Sequence, residues 1–467
     1  MNQEPSRLVN VLMVLIGGLI FLTILPGRLL EQRESARAAR CATNLRQIAL
    51  ACQNYGDAFK QLPPGTGGTW SGKDPARSNQ GRLGSLVGLL PFLDEQSTWE
   101  QIAKPYQSPQ GRVFPAMGPT PTYNPELYPP WAMAPSMLLC PASAKISVND
   151  APIISSLRVP TAKLTLTSYV ASFGDGTTMQ GEVLDPSNSL LRELNDRRLA
   201  ANRGMFMTGK GVRQRDCTDG LSNTILYSET IASLRRVEGQ SEIIRNVEGL
   251  SKQPSRCLET ITKDDRQFWK FGRGARWCDG WPLLTGFQTV LPPNSPSCTS
   301  TFGPTDPVVS ANSLHAGGIH VVFCDGATLF VTDDIDCGDL HQPGVAHGED
   351  YTTPGSESPY GLWGALGSRA AQEALLDDLS EDRSIQSAIE SDLANQPRPT
   401  LPIWTDNQTG DQLVAEFIEV KDQTTLRLRH TLGSVHEVPL NSLIPADIHR
   451  AVELDLLRQA RIELQSH

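Results

Sequence analysis

The longest apolar run of the chain lies near its amino terminus. Leu8–Leu25 reads LVNVLMVLIGGLIFLTIL and carries no charged side chain. As a helix with a rise of 1.5 Å per residue it would span roughly 27 Å, close to the ~30 Å hydrocarbon core of a bilayer. A buried core helix rarely lacks a polar face for so long, and a cleaved signal peptide would carry a small-x-small site after the run. We therefore expect a retained single-pass anchor at residues 1–30 that contacts the lipid bilayer through Leu8–Leu25.

A helical pattern continues beyond this run. Apolar residues recur at intervals of three or four, at Leu45, Ile48, Cys52, Tyr55 and Phe59. Such spacing places them on one face of a helix. Pro26–Gly27 predicts a kink or a short break, and Pro63 marks the end of the pattern. A helix from Leu8 to about Phe59 would be roughly 75 Å long, which predicts a stalk that lies half in lipid and half on a globular head.

The middle of the chain predicts short strands. Glycine and proline interrupt most apolar runs, and β-like segments occur at 163–173, 223–229 and 319–332. The predicted fold class is therefore α+β, with a head over residues 31–350 in which the long helix packs on an antiparallel, β-rich sheet.

The carboxyl-terminal part predicts a spacer and a small module. Residues 351–401 predict an acidic helical spacer and a linker, because carboxylates dominate 368–395 and QPRPTLP follows. Residues 402–467 predict a small β-barrel, from the runs AEFIEVKD, TTLRLRH and GSVHEVPL, followed by a terminal helix in PADIHRAVELDLLRQARIEL. This module has no residue constellation suited to catalysis.

The segment NSLHAGGIHVVFCDGATLFV, residues 312–331, concentrates two histidines, a cysteine and an aspartate. Asp325–Gly326 between alternating apolar residues predicts a hairpin with a two-residue turn. In that register Cys324 lies opposite Ala327, and His320 lies opposite Val331. The alternation places Ile319, Val321 and Phe323 on one face and His320, Val322 and Cys324 on the other.

These residue types suggest chemistry that strand geometry opposes. His320 and Cys324 would lie roughly 13 Å apart along the strand, too far to share a zinc ion, whose ligands bind at about 2.0–2.3 Å. His315 precedes the strand, and we expect its ring to hydrogen-bond a neighbouring turn; a catalytic base is the alternative. No G-x-S-x-G elbow occurs. We therefore assign no catalytic, cofactor-binding or metal-binding residue.

One acidic loop is a candidate for calcium. Asp333–Asp339 holds several carboxylates and a glycine, which are oxygen ligands of the kind that calcium binds. Its spacing does not match an EF-hand, and an exposed acidic loop without a metal is the commoner structure.

Composition narrows the classes of partner and compartment. The formal net charge of -10 and the pI near 5.4 argue against a nucleic-acid partner, which needs a basic face. The nine cysteines are odd in number and include no C-x-x-C pair. A disulfide framework is therefore open but cannot be assigned from the sequence.

Four separated stretches resemble one family, in order and with suitable spacing. They are Leu25–Gly65, then Asn202–Phe206 with Asp216–Glu229, then Trp277–Cys298, and last the segment in which nine residues separate His315 from Asp325–Gly326. Together, over roughly Leu8 to Asp350, they resemble the prepilin-like family of unknown function named for its prepilin-type processing-associated H-X9-DG motif. The resemblance implies a pseudopilin-like head on a long N-terminal helix, displayed outside the cytoplasmic membrane. It implies no established activity or cofactor, and it leaves His315, Asp325 and Gly326 as motif residues of unknown role.

The start of the chain departs from that family. Its members begin with a cleavage signal resembling GFTLVE before the apolar run, whereas residues 6–10 here read SRLVN. The glycine at the cleavage site and the glutamate are both missing. In pilin-like assemblies that glutamate pairs with a neighbouring amino terminus, because an unpaired charge in the membrane is costly. We predict that this chain is neither cleaved and methylated nor polymerised like a pilin.

Two arguments place the head on opposite sides of the membrane. Arginines at 28, 33, 37, 40 and 46 follow the apolar run, which by the positive-inside rule would retain the head in the cytoplasm. Long domains translocate regardless of such charges, and the family resembles exported pseudopilins. We expect a cell-membrane protein with its head on the extracytoplasmic side.

The last module resembles a second family. Trp404 to about Val452, with WTD, AEFIEV, TLRLR, GSVHEVPL and LIPAD, is similar to the Sla-type homology domain of endocytic adaptors. That resemblance implies an SH3-like barrel with a protein partner. Two functions stay open: a membrane-anchored pseudopilin-like scaffold without enzymatic turnover, which we predict, and an anchored hydrolase or carbohydrate-binding protein that uses a cleft in the head.

Overall fold

The structure is a computed structural model of the 467-residue chain. It describes residues 4–72, 74–143, 165–178, 180, 198–233, 242–269, 271–300, 306–346, 348–371, 403–405, 412–421, 425–430 and 435–439. For residues 4–31 and 403–437 the description covers the backbone alone.

One long helix is followed by many short helices and strands. Helices include α1 (Glu4–Phe59), α2 (Ser85–Leu89), α3 (Gln96–Ala103), α4 (Arg256–Glu259), α5 (Pro282–Thr285) and α6 (Gly361–Gly367). The strands of the first half are β1 (Thr66–Gly67), β2 (Leu83–Gly84), β3 (Tyr106–Gln107), β4 (Val113–Phe114), β5 (Tyr169–Ser172) and β6 (Ile225–Glu229). They are followed by β7 (Ile243–Arg245), β8 (Gln267–Phe268), β9 (Gly286–Phe287), β10 (Ser297–Cys298), β11 (Gly318–Phe323) and β12 (Thr328–Thr332). The last four are β13 (Ile403–Thr405), β14 (Gln412–Lys421), β15 (Thr425–His430) and β16 (Val435–Pro439).

The second half of α1 packs on the head through the predicted apolar stripe. Leu45, Ile48 and Cys52 are fully buried, and α1 contacts β6, β11 and β12. The carboxyl-terminal end of the stripe was predicted wrongly, because Phe59 is 57 % exposed. Phe59 is the last helical residue, and Lys60 after it adopts a left-handed conformation that turns the chain away.

No helix in the part of the chain that the structure describes is both long enough and apolar enough to cross a membrane. The transmembrane helix in the predicted fold class is therefore wrong. The charge-free run Leu8–Leu25 does not form a helix of its own, since α1 is one helix of 56 residues. The helix α1 continues through Pro26–Gly27 without the expected break, and its later turns carry many charged residues.

A five-stranded sheet in the order β12-β11-β6-β5-β9 forms the centre of the head. Its two faces bury different side chains, as the alternation along β11 predicts. Ile319, Val321 and Phe323 join an apolar cluster with Trp363 of α6. Val322 belongs instead to the cluster that includes the buried residues of α1.

The hairpin β11–β12 differs from the prediction by one residue. His320 pairs with Phe330, not with Val331, and the loop holds three residues instead of two. The amide of Phe323 donates to the carbonyl of Ala327 at 2.8 Å, and Gly326 has a φ of +92°. A three-residue loop with a left-handed glycine is a common hairpin geometry. The extra residue is Cys324, whose amide bonds the carbonyl of Thr224 at 3.0 Å.

The head is α+β, as predicted, but its sheets are not purely antiparallel. β9 lies parallel to β5, and β10 lies parallel to β7 in a separate sheet of order β10-β7-β8. The pairs β1–β2 and β3–β4 are short antiparallel ribbons. Each parallel pair joins strands that are not adjacent in the sequence, so no tight turn has to connect them.

Residue contacts divide the chain into two compact units, Met1–Asp392 and Leu393–His467. In the second unit β13 to β16 form a four-stranded antiparallel sheet in sequence order. The three predicted strands correspond to β14, β15 and β16. The SH3-like assignment stays a prediction, and both the acidic helix at 368–395 and the terminal helix fall on residues that lie mostly outside those described.

Candidate functional site

A buried polar cluster lies where α1 crosses the central sheet. Its members come from distant parts of the chain and are Glu34, Cys41, Cys140, Glu229, His315 and His320. We call this set the His315 cluster.

His315 lies at its centre. Its Nδ1 is 2.9 Å from Oε1 of Glu34 on α1, and its Nε2 is 3.4 Å from Oε1 of Glu229 and 3.6 Å from Sγ of Cys140. The backbone is held in place by Ser313, whose hydroxyl accepts the His315 amide and donates to the carbonyl of Gly318. The ring therefore hydrogen-bonds Glu34 and lies within ion-pair distance of Glu229. Both partners belong to other elements and not to the neighbouring turn that the sequence suggested.

Glu229, the last residue of β6, joins the two histidines. Its Oε2 accepts both the backbone amide of His320, at 2.8 Å, and the ring Nδ1 of His320, at 3.1 Å. The rings of His320 and His315 meet edge to face, with centroids 5.1 Å apart. Only 1 % of the Glu229 side chain is exposed, so its charge is balanced by these histidines and not by water.

A disulfide within this cluster fastens α1 to the head. Cys41 of α1 is bonded to Cys140, 99 residues later in the sequence. A second disulfide joins Cys257 of α4 to Cys298 of β10. The other five cysteines are free, at Cys52, Cys217, Cys278, Cys324 and Cys337.

The charges of the cluster reinforce one another. Burial alone would raise the pKa of Glu229, but His320 and His315 hold it at about 2. Burial would lower the pKa of His315, but Glu229 and then Glu34 raise it above its usual 6.5. The arrangement therefore favours a carboxylate and an imidazolium together. Both ring nitrogens of His315 face groups of the protein, so neither is open to a substrate proton.

The same cluster includes the one set of potential metal ligands found among the described residues. Ligand atoms of Cys41, Cys140, Glu229 and His315 all lie within 4.8 Å of one another. The two sulfur atoms, however, are bonded to each other. A cysteine that binds zinc must be a thiolate, so the oxidised pair offers none, and the remaining glutamate and histidine already neutralise each other.

The other two motif residues lie at the far end of β11. Asp325 accepts the amide of Ala327 at 2.8 Å, and Gly326 is the left-handed corner of the hairpin. Five steps along β11 separate its ends by about 17 Å. Asp325 and Gly326 therefore shape the loop, and the spacing from His315 reflects the length of the strand, not a shared site.

The exposed carboxylates of the acidic loop Asp333–Asp339 accept hydrogen bonds from different groups. Asp333 accepts the amide group of Asn294 at 2.6 Å, Asp336 accepts the backbone amide of Gly338 at 2.9 Å, and Asp339 accepts that of His341 at 3.0 Å. These atoms do not form a compact ligand set in the described loop. Calcium binding there stays an untested prediction.

A family model described as a protein of unknown function, DUF1559, matches residues 31–338, about two thirds of the chain. The chain belongs to the DUF1559 family. The match runs from the helix turn before Glu34 to the loop after β12, so it covers the whole His315 cluster. No curated protein and no solved structure matches the chain.

The DUF1559 head brings together residues that the sequence showed far apart. Cys41, Glu229 and His315 belong to three of the four stretches noted in the sequence, and the structure joins them within one cluster. Sequence reasoning noticed His315 but missed Glu34, Cys140 and Glu229 as its partners. The available signal was that Glu229 ends the apolar run Ile225–Tyr227 as an acid in a buried strand, where an unpaired charge would not be tolerated.

Proposed function

We propose that this DUF1559 protein is an extracytoplasmic structural and interaction protein, without enzymatic turnover, whose long helix is fastened to a pseudopilin-like head. The observation that carries the proposal is the disulfide between Cys41 of α1 and Cys140 of the head. Disulfides persist in oxidising compartments and are rare in the cytosol. The second one, Cys257–Cys298, supports the same compartment.

The His315 cluster supports a structural role for its histidine. A catalytic base needs a ring nitrogen within reach of a substrate, whereas only 3 % of the His315 side chain is exposed and both its nitrogens face protein groups. The ion pairs with Glu34 and Glu229 instead connect α1 to β6. Disulfide and ion pairs together fix one helix on one sheet, as a rod fixed to a head requires.

The second compact unit is the proposed place of protein contact. Its four-stranded antiparallel sheet is consistent with the small barrel expected from the sequence, and barrels of that kind bind protein segments. The protein partner itself stays a prediction.

The compartment is tested by the state of the cysteines in cells. Free thiols are blocked with N-ethylmaleimide at the moment of lysis, then disulfides are reduced and labelled with a heavier maleimide, and peptides are read by mass spectrometry. The proposal expects the heavy label on Cys41, Cys140, Cys257 and Cys298 and the light label on the five free cysteines. Protease added to spheroplasts should digest the head. A fully light-labelled chain that resists the protease would overturn the proposed compartment.

The interaction role needs a separate experiment. The full chain and a chain ending at Asp392 are compared by in-cell crosslinking, since the boundary of the compact units falls there. A crosslinked partner that is lost from the shorter chain supports the proposal. Equal crosslinking of both chains would remove the second unit as the contact surface.

A further inference from the structure

The stretch Trp277–Cys298 contributes to a cleft that the His315 cluster does not use. The cleft has a volume of about 330 Å³, at the small end of the range for ligand sites. The residues that line it include Arg82, Thr122, Trp269, Phe271, Arg276 and Trp281. We call it the arginine–aromatic cleft.

Aromatic rings and arginines alternate around it. The guanidinium of Arg82 stacks on Trp281, 3.6 Å from the ring centroid. That of Arg276 lies 4.2 Å from the centroid of Phe271. Trp269 meets Trp281 edge to face at 6.5 Å. Stacked guanidinium groups are held flat and keep N–H donors at their edges, which suits recognition of a carboxylate.

A buried carboxylate holds the two arginines. Asp279, which is fully buried, is 2.5 Å from Arg82 and 3.8 Å from Arg276. It also accepts the backbone amide of Trp281 at 3.3 Å. One carboxylate facing two guanidinium groups leaves a net charge of +1, and none of the described residues that line the cleft is acidic. In a chain of net charge -10, this is a local positive site with apolar walls.

Trp269 adds an unsatisfied donor. Its indole N–H is shielded from water and has no hydrogen-bond partner among the described residues. A shielded donor without a partner is costly. A small rotation of the Trp269 ring would uncover this donor, and a ligand oxygen in the cleft would then satisfy it.

We propose that the arginine–aromatic cleft binds a sugar ring that carries a carboxylate, such as a uronic acid unit of an acidic polysaccharide. The apolar face of the ring would lie on Trp269 and Phe271, whose faces carry partial negative charge and attract C–H groups. The carboxylate would lie at Arg276 and Arg82. The ring hydroxyls would meet the indole N–H of Trp269 and the hydroxyl of Thr122.

Isothermal titration of the full chain with trigalacturonate tests this. The matched control ligand is its methyl ester, which has the same rings without their charge. We expect saturable binding of the acid, about tenfold weaker binding of the ester, and an affinity for the acid that falls as salt is added. Equal affinities for acid and ester, or no saturable heat with the acid, would overturn the proposal.

Two variants locate the ligand. Arg276→Gln should weaken trigalacturonate binding about tenfold, and Trp269→Phe, which keeps a ring but deletes the N–H, should weaken it severalfold. Arg112→Gln is the control, since Arg112 also lies over aromatic rings, Phe114 and Tyr123, but outside the cleft. Circular dichroism shows whether each variant folds. Folded cleft variants that bind as tightly as the unmodified chain would place the ligand elsewhere and overturn the assignment.

A final arm separates a sugar acid from any ring with a carboxylate. Phenylacetate has the charge and a flat ring but no hydroxyls. The proposal expects it to compete with trigalacturonate at least tenfold more weakly than galacturonate does. Competition as strong as that of galacturonate would show that hydroxyl recognition is absent and would contradict the sugar assignment.

Discussion

Nδ1 of His315 lies 2.9 Å from Oε1 of Glu34, although 281 positions separate the two residues in the sequence. The contact joins the amino-terminal helix to the turn before β11, and Glu229 extends it into the sheet. The strength of each link follows from its burial. Glu229 is shielded almost completely, whereas the Glu34 side chain is 40 % exposed.

Glu229→Gln should therefore be the most damaging change in the His315 cluster. It leaves His315 and His320 without their shared buried counter-charge, and breaking a buried pair by removing one partner costs about 3–5 kcal/mol. Glu34→Gln, at the exposed end, should cost about 1 kcal/mol or less. Urea unfolding followed by tryptophan fluorescence measures both. Equal losses for the two variants would contradict this reading of the cluster.

Stability should depend on pH in two opposite directions. The pKa of Glu229 is lowered to about 2 from its usual 4.5, so its contribution is present above pH 4.5 and is lost as the pH falls from there towards 2. The pKa of His315 is raised, so its contribution is full below pH 6.5 and is lost as the pH rises through the raised value. The free energy of unfolding should thus be greatest between about pH 4.5 and 6.5.

The loss of stability at alkaline pH, which we assign to His315, can be tested with a matched control variant. His315→Gln should flatten the decline on the alkaline side, as measured by urea unfolding across the pH range. His341→Gln should leave it in place, because His341 is 71 % exposed and pairs with the exposed carboxylate of Asp339. The same alkaline decline in both variants would assign it to a group other than His315.

Removing the disulfide at α1 should destabilise the head more than removing the other one. The chain closed by Cys41–Cys140 is 99 residues long and that closed by Cys257–Cys298 is 41. Loop entropy makes the difference about 0.8 kcal/mol, within totals of about 2–4 kcal/mol. Paired Cys→Ser variants in thermal unfolding provide the comparison. The reverse order would show that strain or denatured-state structure outweighs loop length.

Cys217 should react first among the free thiols at neutral pH. A hydrogen bond from Cys324, together with one to Thr224, lowers its pKa to about 7 despite partial burial. Burial raises the pKa of the Cys52, Cys278 and Cys324 thiols far above their usual value, and that of Cys337 to about 12. Since the thiolate is the nucleophile, brief iodoacetamide treatment and peptide mapping should place the first label on Cys217. Thr224→Val, which removes that hydrogen-bond partner of Cys217, should slow the labelling; first labelling at Cys278 would contradict the prediction.

The sequence predicted what depends on local periodicity. The helical stripe at Leu45, Ile48 and Cys52 and the two faces of β11 follow from spacings of 3.6 and 2 residues, and the structure confirms them. The predicted register of the hairpin was wrong by one residue. The amide of Cys324 donates to the carbonyl of Thr224, the residue before β6, and not across the hairpin turn.

The polar cluster was beyond prediction for a different reason. Glu229 and His315 are 86 positions apart, and no spacing rule connects an acid at the end of one strand to a histidine before another. The transmembrane helix was predicted from the composition of Leu8–Leu25 alone. The helix that contains it continues to Phe59, as the sequence predicted, and its later turns carry many charged residues.

The sequence separation between Glu34 and His315 also determines how long after the first residue the second is synthesised. A ribosome adding about 5–20 residues per second needs roughly 15–55 seconds to pass from the first residue to the second. Until β11 emerges, the α1 face that holds Leu45 and Ile48 lacks one of the strands that cover it, although β6 is already present. The apolar face of α1 is therefore incompletely covered for tens of seconds during synthesis. A holding chaperone would matter at this early stage and not after the head has folded.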